Sequence, residues 1–206
     1  MRFFRTTVIL VAAVAACAAC SKPATDDSGD WCAEVMAEVI SEQKRWYNYE
    51  KSHGGEDEDL TWMLTTPNPP ATTEEISTAE QRLDKRLDKQ LRQWLEHVNG
   101  WHYVWGTTSL YSTQQMVDDA DDRAELMDML NEVDRNESEF GVGSLDDLIV
   151  IGTNADQSRF VLTTGCDGDD CGSAPVWSFD GETETYTSLR DYLTTMVEQL
   201  KTMKRD

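Results

Sequence analysis

Positive charge is what this chain has least of. Against 39 aspartates and glutamates stand 18 lysines and arginines, for a formal charge of −21. A surface of that sign repels nucleic acid and anionic lipid headgroups, which argues against both as direct partners. It would attract a basic protein, although a solvated surface in a salty habitat accounts for the same charge. Histidine is also scarce: His53, His97 and His102 are all there is. None belongs to a His-Glu-x-x-His motif or to a clustered Cys/His spacing, so no metal site is expected. Gly-x-Ser-x-Gly is missing, and Gly141-Val142-Gly143 lacks the strand, loop and helix of a nucleotide-binding fingerprint. With no nucleophile–base pair and no ligand cluster, the chain is expected not to be an enzyme and to need no cofactor. No internal repeat is visible.

Long apolar runs are absent as well. The best of them, Val8 to Ala16, is too short to span a bilayer as a helix, which takes roughly 20 residues. It follows Arg2 and Arg5, and a basic start before a short apolar stretch is the pattern of an export signal. Val14-Ala15-Ala16-Cys17 resembles the bacterial lipobox, in which the cysteine is lipidated and becomes the first mature residue. Cys17-Ala18-Ala19-Cys20 is a weaker match, which leaves Cys20 as the alternative lipid site; an ordinary secretory signal cut nearby is the plainer option. Lipid chains would anchor the protein in the cell envelope on its extracytoplasmic side. In a Gram-negative cell, the lack of an aspartate after the cysteine points to the outer membrane.

Five cysteines suit such an oxidising place. Cys166 and Cys171 flank Asp167-Gly168-Asp169-Asp170, a spacing that suits a disulfide across a hairpin tip. The acids between them are expected to form a solvated tip; calcium binding is the alternative, with the ligand order of an EF-hand missing. Cys20 and Cys32 are a second possible pair if Cys17 carries the lipid.

What the chain has in quantity is large apolar side chains: seven tryptophans and 39% hydrophobic residues, enough for a packed core. Residues 1–16 are expected to be the signal, 17–30 a polar tether, 31–64 a helix with a loop, and 65–206 the main domain. Trp31 to Tyr49 has helical spacing. Leu60 to Leu64 suggests a short edge strand. Thr72 to Gly100 carries Ile76, Ala79, Leu83, Leu87, Leu91, Trp94, Leu95 and Val98 in steps that put them on one helix face. Thr72 with Glu75 can close a capping box, and Asn99-Gly100 is a stop. The period then changes to two: Trp101, Tyr103 and Trp105 alternate as in a strand. Thr113 to Val133 is helical again, with Asp118, Asp119, Asp121 and Asp122 on the opposite side from its apolar residues. Strands are expected at Ser109 to Tyr111, Leu148 to Ile151, Arg159 to Thr163 and Pro175 to Phe179, and Ser188 with Asp191 starts a closing helix. Short turns between consecutive strands make this α+β: an antiparallel or mixed twisted sheet packed by flanking helices, with an extra N-terminal helix.

Pro69-Pro70-Ala71-Thr72-Thr73-Glu74-Glu75-Ile76, Ala79-Glu80, Val98-Asn99-Gly100, Leu148-Ile149-Val150-Ile151-Gly152, Val176-Trp177-Ser178-Phe179-Asp180 and Ser188-Leu189-Arg190-Asp191-Tyr192-Leu193 occur in an order that resembles the SUKH superfamily, the Smi/Knr-like domain. The resemblance runs from Pro69 to Met203. The family usually has Leu-Pro where this chain has Leu87-Asp88, so the first helix is expected to run unbroken here. Its glycine-rich turn is replaced by Asn154-Ala155-Asp156-Gln157. The resemblance implies a protein-binding domain. Bacterial members are often immunity proteins of toxin systems, and fungal relatives act as scaffolds.

Candidate partner-binding residues are Trp101 and Trp105, as aromatic anchors or as core, and Asp118, Asp119, Asp121 and Asp122, as a dock for a basic partner or as a wet helix face. The expectation is a lipid-anchored protein-binding module, in its concrete form an immunity protein against a basic toxin. A structural or scaffolding lipoprotein of envelope maintenance is the alternative.

Overall fold

A computed structural model of the chain describes residues 30–56, 60, 63–166 and 171–203. The export signal, Cys17, Cys20 and nearly all of the expected tether lie outside these residues, as do Asp167, Asp169 and Asp170.

Helix α1 (Trp31–Ser52) begins where the Asp30 side chain accepts a hydrogen bond from the Ala33 amide. Its buried residues, Trp31, Cys32, Val35, Val39, Glu42 and Gln43, recur at helical spacing and form one inner stripe. Helix α2 (Thr73–Leu83) opens with the full capping box of Thr72 and Glu75. It ends at Asp84, which takes a left-handed conformation with φ of 51°. Helix α3 (Lys89–Leu95) then starts afresh, with the Asp88 carboxylate accepting from the amides of Gln90 and Leu91. The single helix expected over 72–100 is therefore two. The break holds because the backbone of Arg86 turns out to pair with Cys166: the Cys166 amide donates to the Arg86 carbonyl at 2.9 Å.

Strands β1 (Trp101–Trp105), β2 (Thr108–Leu110), β3 (Leu148–Asn154), β4 (Phe160–Thr164), β5 (Val176–Phe179) and β6 (Thr183–Tyr186) form one sheet. Among the described residues it has six strands in chain order, every neighbouring pair antiparallel. In β3, β4 and β5 successive residues are buried without alternation, so both faces of the sheet centre are covered. Gly152 sits at an irregularity in β3, where a side chain would bring its Cβ within 2.5 Å of the Ser109 carbonyl oxygen. That close approach needs glycine.

Between β2 and β3 lie α4 (Thr113–Val117), α5 (Ala120–Glu132), a short α6 (Glu137–Phe140) and a 3₁₀ turn at Leu145–Asp147. The helix expected over 113–133 is thus broken at Asp118 and Asp119. Its core residues are Leu126 and Leu130, whereas Val133, at the end of the expected helix, is 41% exposed. The closing helix α7 (Leu189–Thr202) buries Leu189, Tyr192, Leu193, Met196 and Val197 and packs along α1. The described residues of the edge strand expected at 60–64 are not in a strand: Leu60 is helical and packs beside Gly55, and Met63 lies in a 3₁₀ turn. Trp31 stacks on Trp94 with ring centroids 6.2 Å apart, so the N-terminal helix shares the core of the main domain. Each such fully buried side chain contributes roughly 1.5–3 kcal/mol.

Candidate functional site

β1 is an edge strand and is irregular. Its pairing with β2 shifts register between Trp101 and Trp105, and Tyr103 at the shift has φ of 52°. Strict alternation fails there. Val104 and Trp105 are both buried, while Tyr103 is half-buried with its ring stacked on His102. The α1 side chain Gln43 fills the gap: its amide donates to the carbonyls of Tyr103 and Val104 at 3.3 and 3.1 Å. Thr65 donates to the Tyr103 carbonyl and accepts from the Trp101 indole.

This bulge forms the floor of an apolar cleft of about 230 Å³. Its walls are Gln43 and Trp46 from α1, Met63, Leu200 and Met203 at the C-terminal end of α7, Tyr103 and Trp105 from β1, and Gly106 from the turn after it. Met203 is 54% exposed at the mouth. Trp105 is held edge-on against Tyr192, whose hydroxyl burial pushes far above its usual range. The two candidate tryptophans therefore part company. Trp101 is wholly buried in the core, and Trp105 lines the cleft. Leu200 and Met203 carry no signal in the sequence beyond an apolar helix face, and Gln43 carries none.

The four candidate aspartates do not share a face. Asp118 pairs with Arg82 at 2.5 Å and accepts a further bond from Gln114. The Arg82 guanidinium is the main cause of its carboxyl lying below the usual value. Asp119 is half-buried, and burial raises its carboxyl. Asp122 accepts from the Tyr111 hydroxyl and, at 2.6 Å, from the Gln157 amide. That last bond ties the 154–157 turn to α5 through Gln157, itself left-handed with φ of 55°. Asp121 alone stays free on the surface, and it begins a row the spacing of the other three conceals. Asp121, Glu125, Asp128 and Glu132 are all exposed, lie in steps of helical period, and enter no ion pair among the described residues.

Cys166 and Cys171 are joined in a disulfide, with their Cα atoms 5.6 Å apart. Cys32 is a free thiol, wholly buried on the inner face of α1, and the possible partner Cys20 lies outside the described residues. Burial is the main reason its thiol is pushed up to about 12. His97 lies close to it. The reactive atoms of Asp30, Cys32 and His97 are within 4.8 Å of one another, a grouping that residues 30 and 97 being so far apart in the chain kept out of sight. No helix among the described residues is long and apolar enough to cross a membrane.

Residues 70–198 match the protein-family model described as SMI1 / KNR4 family (SUKH-1). No match was found among curated proteins. The matched segment covers the sheet and most of α7 but leaves out α1, Met63 and Met203, so much of the cleft wall is built from outside it.

Proposed function

This chain belongs to the SMI1 / KNR4 family (SUKH-1), and on that premise we propose that it is a non-enzymatic protein-binding module, anchored in the cell envelope by lipid on Cys17. In its concrete form it is an immunity protein that masks a basic toxin. The observation that carries this is the apolar cleft walled by Trp46, Trp105, Leu200 and Met203. Large apolar and aromatic side chains around an open hollow suit a protruding anchor residue of a protein partner. The acidic row on α5 supports the sign of that partner: unpaired surface charge speeds the encounter with a basic protein more than it tightens the complex. The lipid reading rests on Val14-Ala15-Ala16-Cys17, which resembles the bacterial lipobox and follows a basic start and a short apolar run.

The test is capture of binding partners from membranes with the full chain and two variants. A basic protein should be retained by the wild type and bound more than about tenfold more weakly by Met203→Glu, since a single anchor contact commonly carries over 1.4 kcal/mol. With Asp121, Glu125 and Asp128 all changed to lysine, association should slow, and the slowing should fade at high salt. A partner indifferent to both variants would remove the cleft from the account. An envelope structural protein in place of a toxin would favour the scaffolding alternative. For the anchor, labelling with a palmitate analogue should be lost in Cys17→Ala; label that persists with both Cys17 and Cys20 changed to alanine would end the lipid proposal.

A further inference from the structure

A second place in the molecule has chemistry of its own, at the junction where α1 begins and α3 ends. Asp30 is the residue capping α1, Cys32 is the second residue of that helix, and His97 stands two residues past the end of α3. His97 is held from both sides. Its Nδ1 lies 2.8 Å from the Gln93 carbonyl oxygen. A carbonyl can only accept, so Nδ1 carries the proton and donates it. That leaves Nε2 as the ligand nitrogen, and Nε2 lies 3.0 Å from the Asp30 carboxylate oxygen. Two lone pairs at that distance repel unless a cation bridges them, either a proton on the ring or a metal ion. The Cys32 sulfur, a thiol with no disulfide partner among the described residues, completes the group on its buried side.

We propose that Asp30, Cys32 and His97 form a binding site for a divalent transition metal of the zinc class, with a fourth coordination position facing solvent. A sulfur, an imidazole nitrogen and a carboxylate oxygen are the donor set that zinc takes. The Nδ1 bond to Gln93 is the kind of outer contact that orients a ligating histidine and sets which nitrogen faces the metal. Gln93 is itself positioned, because its side chain accepts from the Trp31 indole at 2.8 Å. As the metal–sulfur bond forms, the S–H bond of Cys32 breaks and its proton passes to solvent; no oxidation state changes. Two ligands come from the N-terminal addition and one from the family-matched segment, so the ion would clasp α1 to the rest of the domain just where the expected tether ends.

Cobalt(II) serves as the probe, because a thiolate ligand gives it an intense sulfur-to-metal charge-transfer band in the near ultraviolet. The purified full chain, reduced under conditions that spare the Cys166–Cys171 disulfide, should bind one cobalt ion with that band, and zinc should displace it. Cys32→Ser should abolish the band, whereas Cys20→Ser should leave it. Asp30→Asn keeps a side chain able to cap the helix, and His97→Gln alters a half-buried position. Both should retain the wild-type circular dichroism while weakening cobalt binding by more than about tenfold, since even outer-shell losses cost 10- to 100-fold. No charge-transfer band in the folded wild type, or a band that survives Cys32→Ser, overturns the proposal.

Discussion

Helices α1 and α5 flank the same sheet and could hardly be attached more differently. α1 buries Trp31, Cys32, Val35, Val39, Glu42 and Gln43, and its Asp30 side chain caps its first turn. α5 buries Leu126 and Leu130 alone, and Asp119 at its start makes no side-chain capping bond. Yet α5 lies within residues 70–198 and α1 lies before them. Membership of the family segment is therefore a poor guide to what holds this molecule together. The added helix is part of the core, and a helix inside the family segment is bound to it by a narrow seam and offers its wide side to solvent.

The contrast can be broken at several points. The largest effect is expected from Trp31→Ala, which removes the stacking partner of Trp94 and should cost about 3–5 kcal/mol in urea unfolding. A loss under about 1 kcal/mol would mean α1 is only laid on the surface. Leu126→Ala should cost about 2–4 kcal/mol, and amide exchange should show α5 opening well before the strands. Equal protection of α5 and β4 would cancel the contrast. At the helix starts, Asp30→Ala should cost about 1 kcal/mol and Asp119→Ala less than about 0.5 kcal/mol, compared by thermal melting. Reversing Glu125 or Asp128 to lysine should change stability by no more than about 0.5 kcal/mol.

The last and smallest effect is on pH dependence. Arg82 holds the Asp118 carboxyl below its usual 3.8, so the folded state binds that proton less readily than the unfolded chain. Its contribution to stability is present above 3.8 and fades as pH falls through the lowered value. Asp118→Asn should therefore make the acid limb of the stability curve shallower and leave the Asp121 row untouched.

Much of this architecture could be read from residue order. The Thr72–Glu75 box, the Ser188 start of α7 and the run of strands from Trp101 to Phe179 follow from local patterns, and those patterns agree with the fold. The two helix breaks could not be read. Leu83, Leu87 and Leu91 keep four-residue steps straight through Asp84, because the same core receives both halves. What parts them is a backbone pairing between residues 86 and 166, which no local window contains. The cleft was hidden for a similar reason. Spacing marks Trp105 as one of three alternating aromatics, but the left-handed Tyr103 resets the alternation and separates it from Trp101. The walls then come from residues 43, 63 and 200, joined only by folding.

The bulged border of the sheet has one more effect. An exposed border strand with spare carbonyls invites a neighbouring copy to add its own strand. Here Gln43 and Thr65 already satisfy the carbonyls of Tyr103 and Val104, and the kink at Tyr103 spoils the straight template such growth would require. A second copy meeting this border would find neither free carbonyls at Tyr103 and Val104 nor a straight strand to extend, so β1 is a poor seed for edge-to-edge growth.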